Sequence, residues 1–364
     1  MIHLNRRLAG AALFALLAAG PALGQTPSPD PAVRPSPVAA GRGVTPEDLV
    51  ALEAFGRASL SPDGRWAVWE KRGPWTDIPR VDYAQRSPWT IMDLWVADLS
   101  RPAAAPERLL PGEGPGLLRV AWSPSGAHLL VYRMRDDRFE IGIVALADRS
   151  VRWTGLTAEI PVAGASAQWL DDGTVVVMTR PDGSLPAVMR SHSELQARVT
   201  AAWARTSAGR APSRTVLDTD RGVARPEAAE PERALVRLSV TGRADETLVR
   251  GAIVDVQASP DGRTLAVVMG AEPTPIAPGP ILQADPARRQ RLGLIDLETG
   301  TMIWPLPDRD IGPHLLRWSP GSDRVLVWAR PDAAAWSAGD LVAVSGAGAV
   351  EVLRRDGLSP GADA

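Results

Sequence analysis

At 364 residues, 45% hydrophobic and 23% charged, the chain is long and apolar enough to bury a large core, which excludes a disordered protein. Lys plus Arg at 40 against Asp plus Glu at 42 leaves a formal charge of -2, which excludes a sequence-wide electrostatic attraction to nucleic acid or to an anionic membrane. There is no cysteine, so disulfides and thiolate chemistry are excluded too.

The chain opens MIHLNRRLAGAALFALLAAGPALGQ, where Arg6 and Arg7 make a basic start, residues 8–19 an apolar stretch and Ala22-Leu23-Gly24 a small-residue cleavage site. Residues 1–24 are therefore expected to be a secretory signal peptide. The apolar stretch is shorter than the ~20 residues of a membrane span, and an uncleaved anchor is the competing reading. No later segment reads as a membrane span. Residues 25–44 (QTPSPDPAVRPSPVAAGRGV), rich in Pro, Ala, Ser and Gly, bury too little apolar surface to offset ordering and read as a tether.

A turn then recurs. SLSPDGRWAVW at residues 59–69 returns as AWSPSGAHLLVY from Ala121, QASPDGRTLAVV from Gln257 and RWSPGSDRVLVW from Arg317, with a weaker copy, QWLDDGTVVVMT, from Gln168. In Ser-Pro-Asp-Gly the proline presets φ, the aspartate bonds its own backbone and the glycine tolerates positive φ, so the chain reverses. WAVW, LLVY, VVVM, LAVV and VLVW follow, apolar runs with little alternation that predict strands covered on both faces. DLWVADL (93–99), EIGIVALADRSV (140–151) and LGLIDLETGTMIWPL (292–306) then read as further strands and hairpins.

The unit is thus about four antiparallel strands. Its marker glycines, Gly64, Gly126, Gly173, Gly262 and Gly321, stand 62, 47, 89 and 59 residues apart. Propeller blades repeat at roughly 40–45 residues plus insertions, and the interval of 89 reads as two units. The expected fold is all-β: a β-propeller of about six to seven four-stranded blades over residues 45–356, with a tail at 357–364. One or two β-sandwiches would also suit short strands and turns, but do not explain why each turn precedes the same apolar run. Trp66, Trp69, Trp122, Trp169, Trp318 and Trp328 flank the turns and read as packing between blades.

Two segments stand apart. RMRDDR at 133–138 carries acids that compensate its arginines in part and reads as a solvated face. Residues 184–219 interrupt the strands; residues 194–205 favour a helix, with Ser193 as its N-cap.

TPEDLVALEAFGRASLSPDGRWAVW, from Thr45, resembles the opening of the N-terminal propeller of the prolyl oligopeptidase family of serine peptidases. RSPWTIMDLWVADL, PERLLPGEGPGLLRVAWSPSG, RSVRWTGLTAEIP and GRAPSRTVLDT look like the lasso peptide isopeptidases of that family, over roughly residues 45–330. The resemblance implies a propeller followed by an α/β-hydrolase domain whose Ser, Asp and His cut the isopeptide bond of a threaded lasso peptide. It also implies a lasso peptide as partner and, with the signal peptide, a periplasmic location.

The chain departs from that pattern at the chemistry. A nucleophile elbow needs G-x-S-x-G, and none occurs. The nearest approaches, Gly164-Ala165-Ser166-Ala167-Gln168 and Ala343-Val344-Ser345-Gly346, read as blade strands or turns. His128, His192 and His314 lie in separate repeats or insertions without metal-ligand spacing. The βαβ alternation of a hydrolase is absent. No catalytic, cofactor-binding or metal residue is therefore assigned, no cofactor is expected, and the hydrolase domain is expected to be missing from this chain.

Two functions follow as expectations. One is the propeller portion of a secreted lasso peptide isopeptidase, shortened by a frameshift, an early stop or a gene-model boundary and inactive alone, which gates and binds substrate. The other is a free-standing TolB-like periplasmic propeller that binds a protein or peptide. Neither takes nucleic acid, nor a membrane after signal cleavage. A free-standing ring should pair its first and last strands, since open edges invite aggregation, and no strand returns after the hairpin at 341–355.

Overall fold

The repeated turn is one hydrogen-bonded unit. In the computed structural model, which describes residues 43–353 except 102, 162–163, 211–218, 221–222, 225–231, 244, 275–287 and 333, Ser61 N–H donates to Trp66 O and Gly64 N–H to Ser61 O, both at 2.8 Å. Trp66 N–H donates to the Ser61 hydroxyl at 2.8 Å, and that hydroxyl donates to Asp63. Residues 259–264 repeat the pattern: Thr264 N–H meets Ser259 Oγ at 3.0 Å, which donates to Asp261 at 2.6 Å. Serine clamps the loop, aspartate holds the serine, and the fourth position is left-handed, with φ +71° at Gly64 and +69° at Gly262.

Two of the marker glycines are not in that position. In the last turn Ser322 takes it, with φ +62°, because Gly321 comes one place early. The turn at 170–174 is one residue shorter, closed by Leu170 N–H to Thr174 O at 2.9 Å.

Each turn joins the first two strands of a four-stranded antiparallel sheet, and the architecture is a β-propeller. The first blade holds β1 (Ala54–Leu60), β2 (Trp66–Arg72), β3 (Met92–Asp98) and β4 (Glu107–Arg108). The second holds β5 (Leu117–Trp122), β6 (His128–Arg135), β7 (Arg138–Ala145) and β8 (Val151–Thr157). The third is formed by β9 (Ala167–Trp169) and β10 (Thr174–Thr179); a two-stranded ribbon, β11 (Thr219–Asp220) and β12 (Val223–Ala224), intervenes before β13 (Arg233–Ser239) and β14 (Glu246–Gly251) complete it. The fourth is β15 (Ile253–Ala258), β16 (Thr264–Pro273), β17 (Arg288–Asp296) and β18 (Met302–Ile303), and the fifth β19 (Arg309–Trp318), β20 (Arg324–Pro331), β21 (Asp340–Ser345) and β22 (Val350–Leu353). Among the described residues, no strand is shared between the first and last blades.

The described residues thus form five four-stranded sheets, against the six to seven blades expected. Among the described residues the 89-residue interval between Gly173 and Gly262 holds one blade, whose second and third strands are separated by residues 180–232.

Burial explains the unalternating apolar runs. Four clusters of buried side chains lie one at each joint between successive blades. Val175 and Val177 of β10 face the second blade, while Val176 and Met178 face the fourth; all four are fully buried. Leu129 and Val131 of β6 likewise face the first blade, and Leu130 and Tyr132 the third. Each such side chain contributes about 1.5–3 kcal/mol over exposure, so the core is divided among the joints. Among the described residues the first blade is covered on one face only: Val68, Leu94 and Val96 are buried, whereas Trp69 and Trp95 on the other face are half-buried and Phe55 and Leu60 exposed.

Polar bonds repeat across the joints. Trp122 Nε1–H donates to Ser59 Oγ at 2.9 Å, Trp169 Nε1–H to Ala121 O at 3.2 Å and Trp318 Nε1–H to Gln257 O at 2.9 Å. In each pair, the residue just before a turn reaches the residue one place ahead of its counterpart in the previous blade. Where alanine replaces tryptophan, Ala258 N–H donates instead to Gln168 Oε1 at 2.7 Å. Trp66 and Trp328 are buried, in line with a packing role.

The helix of the third-blade insertion, α2 here (Ala187–Ser207), begins earlier than expected: Pro186 is its N-cap, and Ser193 lies inside, its hydroxyl donating to Arg190 O at 2.9 Å. Proline is suited to this entry because its φ is preset, and Met189, fully buried, anchors the first turn. From residue 194 almost every side chain is exposed.

The chain divides into two units, Met1–Leu49 and Val50–Ala364. The described part of the first opens α1 (Pro46–Val50), where Thr45 N–H donates to Asp48 at 2.9 Å. The expected signal peptide, most of the tether and the tail at 357–364 lie outside the described residues. Among the described residues no helix is long and apolar enough to cross a membrane.

Candidate functional site

Antiparallel pairing puts the two kinds of connection at opposite ends of the blades. The tight turns share one face, linked by Ser125 to Asp172 at 2.7 Å and Asp261 N–H to Ser322 Oγ at 3.0 Å. The second-to-third-strand connections leave the other face, and they are mostly long: residues 73–91, the two-residue tip 136–137, residues 180–232 with α2, and residues 332–339. Loops held on a rigid scaffold are where binding residues concentrate.

On that face the first two blades form a mouth. Tyr83, buried beneath the 3-10 turn Ala84–Ile91, donates its hydroxyl to Asp137 at the β6–β7 tip, and Arg80 pairs with the same carboxylate. Arg80 also grips Asp82, with Nε to Oδ1 at 2.6 Å, and lies over the Tyr83 ring at 4.4 Å. Burial, then the Asp137 bond, pushes the Tyr83 phenol well above its usual range. The Arg80 bond holds the Asp82 carboxyl low, and His192 of α2 adds to this. A cavity of 360 Å³ lies here, lined by Arg80, Tyr83, Met134, Asp136 and Asp137 among others.

Across the tip is a second cavity of 400 Å³, lined by Arg133, Arg135, Asp136, Arg138 and Glu140. The segment expected to be a solvated face is thus divided. Arg133 is largely buried: it pairs with Glu113, donates to Glu140 at 2.7 Å and stacks over Trp153 at 3.9 Å. Arg135 and Arg138 stay exposed. Asp136 and Asp137 take φ +49° and +60°, left-handed values that suit a two-residue hairpin turn.

Further round the same face, Glu159 Oε2 accepts from Arg180 Nη1 at 2.9 Å and Arg233 Nε at 3.1 Å, with the Glu159 and Arg180 side chains fully buried. Between the fourth and fifth blades, Arg291 donates to both oxygens of Asp332, at 2.7 and 2.8 Å, and Arg289 to Asp310 at 2.7 Å. These pairs fasten blade to blade.

The serines nearest a nucleophile motif are placed as structural groups. Ser166 Oγ lies 3.0 Å from the Tyr132 hydroxyl, and Ser345 Oγ accepts from Ala349 N–H in the β21–β22 turn. Burial pushes the Tyr132 phenol up to about 12. His128 stacks on Trp169 at 6.2 Å and His192 is exposed on α2; the His314 side chain is outside what the structure describes. Among the described residues no three His, Asp or Glu side chains gather as a metal site.

The chain is similar in fold to solved β-propellers. One is the β-propeller domain of the Trilobed protease from Pyrococcus furiosus, with an open velcro topology, at 12% identity and a TM-score of 0.41 over 83% of this chain and 70% of that one. Another is the AtxE2 isopeptidase without ligand, at 15% and 0.31 over 85% and 54%. A third is a puromycin-hydrolyzing peptidase from Mycobacterium tuberculosis, at 18% and 0.41 over 85% and 39%. The chain therefore spans about half of the isopeptidase's length. No protein-family model and no curated protein matches it.

Sequence reading did not single out Arg80, Tyr83 or the pairing of Arg135 with Arg138. The signal was present in Asp-Asp between two apolar, strand-forming runs, which marks a hairpin tip and makes the flanking arginines cross-strand partners.

Proposed function

We propose that the chain is the propeller portion of a serine peptidase of the prolyl oligopeptidase kind, most like the lasso peptide isopeptidases, and that it selects and holds peptide substrate. The cutting serine belongs to a hydrolase domain outside these residues. The carrying observation is the mouth on the face of long connections, where Arg80, Tyr83 and Asp137 border a cavity that also has apolar lining from Pro79, Pro115 and Met134, and the β6–β7 tip borders a second, more polar one. Ser166 and Ser345, the serines nearest a nucleophile motif, in contrast serve a joint and a turn. Export to the periplasm through the N-terminal signal is part of the proposal.

The test is titration of a threaded lasso peptide, and of its unthreaded linear form, into the purified chain by calorimetry. The threaded form is expected to bind at least about ten-fold more tightly, a 1.4 kcal/mol preference. Equal binding, or none, overturns the reading. Cleavage of the threaded peptide by this chain alone, stopped by a serine-directed inhibitor, would overturn the placement of the chemistry elsewhere.

A further inference from the structure

The β6–β7 hairpin contains a contradiction that packing does not resolve. Its register sets Arg133 opposite Glu140 and Arg135 opposite Arg138. The first pair is complementary and bonded. The second places two guanidinium groups directly across the strands, where like charges destabilise a sheet. Among the described residues neither arginine has a carboxylate within ion-pair distance; Arg135 donates only to the carbonyl oxygen of Glu113.

The acid best placed by sequence to relieve this repulsion is held away from it. Asp137 is bound by Tyr83 and Arg80 and lines the Met134 flank of the tip. The cavity over the Arg135–Arg138 flank excludes Asp137 and keeps one acid of the turn, Asp136, which makes no ion pair or hydrogen bond among the described residues. Arg135 and Arg138 thus share a 400 Å³ cavity with Asp136 and with the mutually bonded Arg133 and Glu140, so that their two positive charges face one unengaged carboxylate. Guanidinium groups present planar donors matched to carboxylates.

We infer that Arg135 and Arg138 bind a side-chain carboxylate of a peptide passing the mouth, so that this propeller prefers acidic peptide segments. The cavity lies on the exposed flank of the tip, between Arg135 and Arg138. The inference rests on the peptide-binding reading and adds the charge of the peptide to it.

The experiment compares two fluorescein-labelled, C-terminally amidated octapeptides that differ only in glutamate against glutamine, by anisotropy at low salt. They are titrated into the wild-type chain, R135Q/R138Q and R135E/R138E. The wild type is expected to prefer the glutamate peptide by about ten-fold, the first variant to lose the preference and the second to reverse it. Because both side chains are exposed and mutually repulsive, R135Q/R138Q is expected to keep or raise the wild-type melting temperature. A preference that survives in both variants overturns the inference, as does a wild type that binds the two peptides equally. Binding of both peptides without discrimination refutes the charge preference and leaves the peptide-binding role standing, whereas failure of all peptides, threaded ones included, refutes both. A glutamine-like peptide with a free terminal carboxylate that matches the glutamate peptide would overturn the side-chain assignment.

Discussion

Replacing Glu159 by glutamine tests how the blades are fastened. The carboxylate faces two guanidinium groups, Arg180 at 2.9 Å and Arg233 at 3.1 Å, and its Oε1 accepts from Ile160 N–H at 2.8 Å. Both side chains of the Glu159–Arg180 pair are fully buried. Glutamine keeps the size but removes the charge that compensates Arg180 and turns donors toward other donors. Breaking a buried pair from one side costs about 3–5 kcal/mol. At about 2 °C per kcal/mol, the low end suited to a domain of this size, the melting temperature should fall by about 6–10 °C. Urea unfolding followed by tryptophan fluorescence should show a lower midpoint with an unchanged slope. The control is Glu351→Gln at the exposed Arg324–Glu351 pair, at 2.7 Å with side chains 48% and 60% exposed, which should leave the midpoint unchanged. If the two variants behave alike, the buried pair is not a fastening.

Trp318→Phe removes the indole N–H that reaches Gln257 O at 2.9 Å and should cost about 1 kcal/mol of unfolding free energy, seen as a lower urea midpoint; no change would show that the repeated indole bond only accompanies packing. In Asp332 the Arg291 bonds hold the carboxyl below its ordinary value of 3.8. Because the folded value is depressed, its stabilisation is present above that ordinary value and is lost as pH falls through the lower folded one. The stability gap between wild type and Asp332→Asn, measured at pH 6 and again near pH 3, should therefore narrow in acid, and a constant gap would refute this.

Much of the fold was legible because its signals are local. Ser61 to Gly64 close their turn with bonds among neighbours, and the runs after the turns follow from burial on both sides of a strand, as Val175 to Met178 illustrate. What failed depended on distant partners. The 89-residue interval between Gly173 and Gly262 read as two units because spacing alone does not tell an insertion from a blade. Ser193 read as a cap because its sequence neighbours suit one, whereas Pro186 and the buried Met189 set the helix start. The two acids of residues 133–138 stand beside its arginines along the chain, yet Tyr83 and Arg80, more than fifty residues away, draw Asp137 to one side in space. Counting along a segment does not register that separation.

Each described blade consists of strands that follow one another in the chain, and none borrows a strand from another. During synthesis, a blade has all its parts as soon as its own fourth strand leaves the ribosome. It does not wait for the far end of the polypeptide, as a ring sealed by a strand from the opposite terminus must. Growth then runs in one direction, each new sheet covering the apolar side of the one before, so that the newest blade is always the one in need of shelter from other nascent chains.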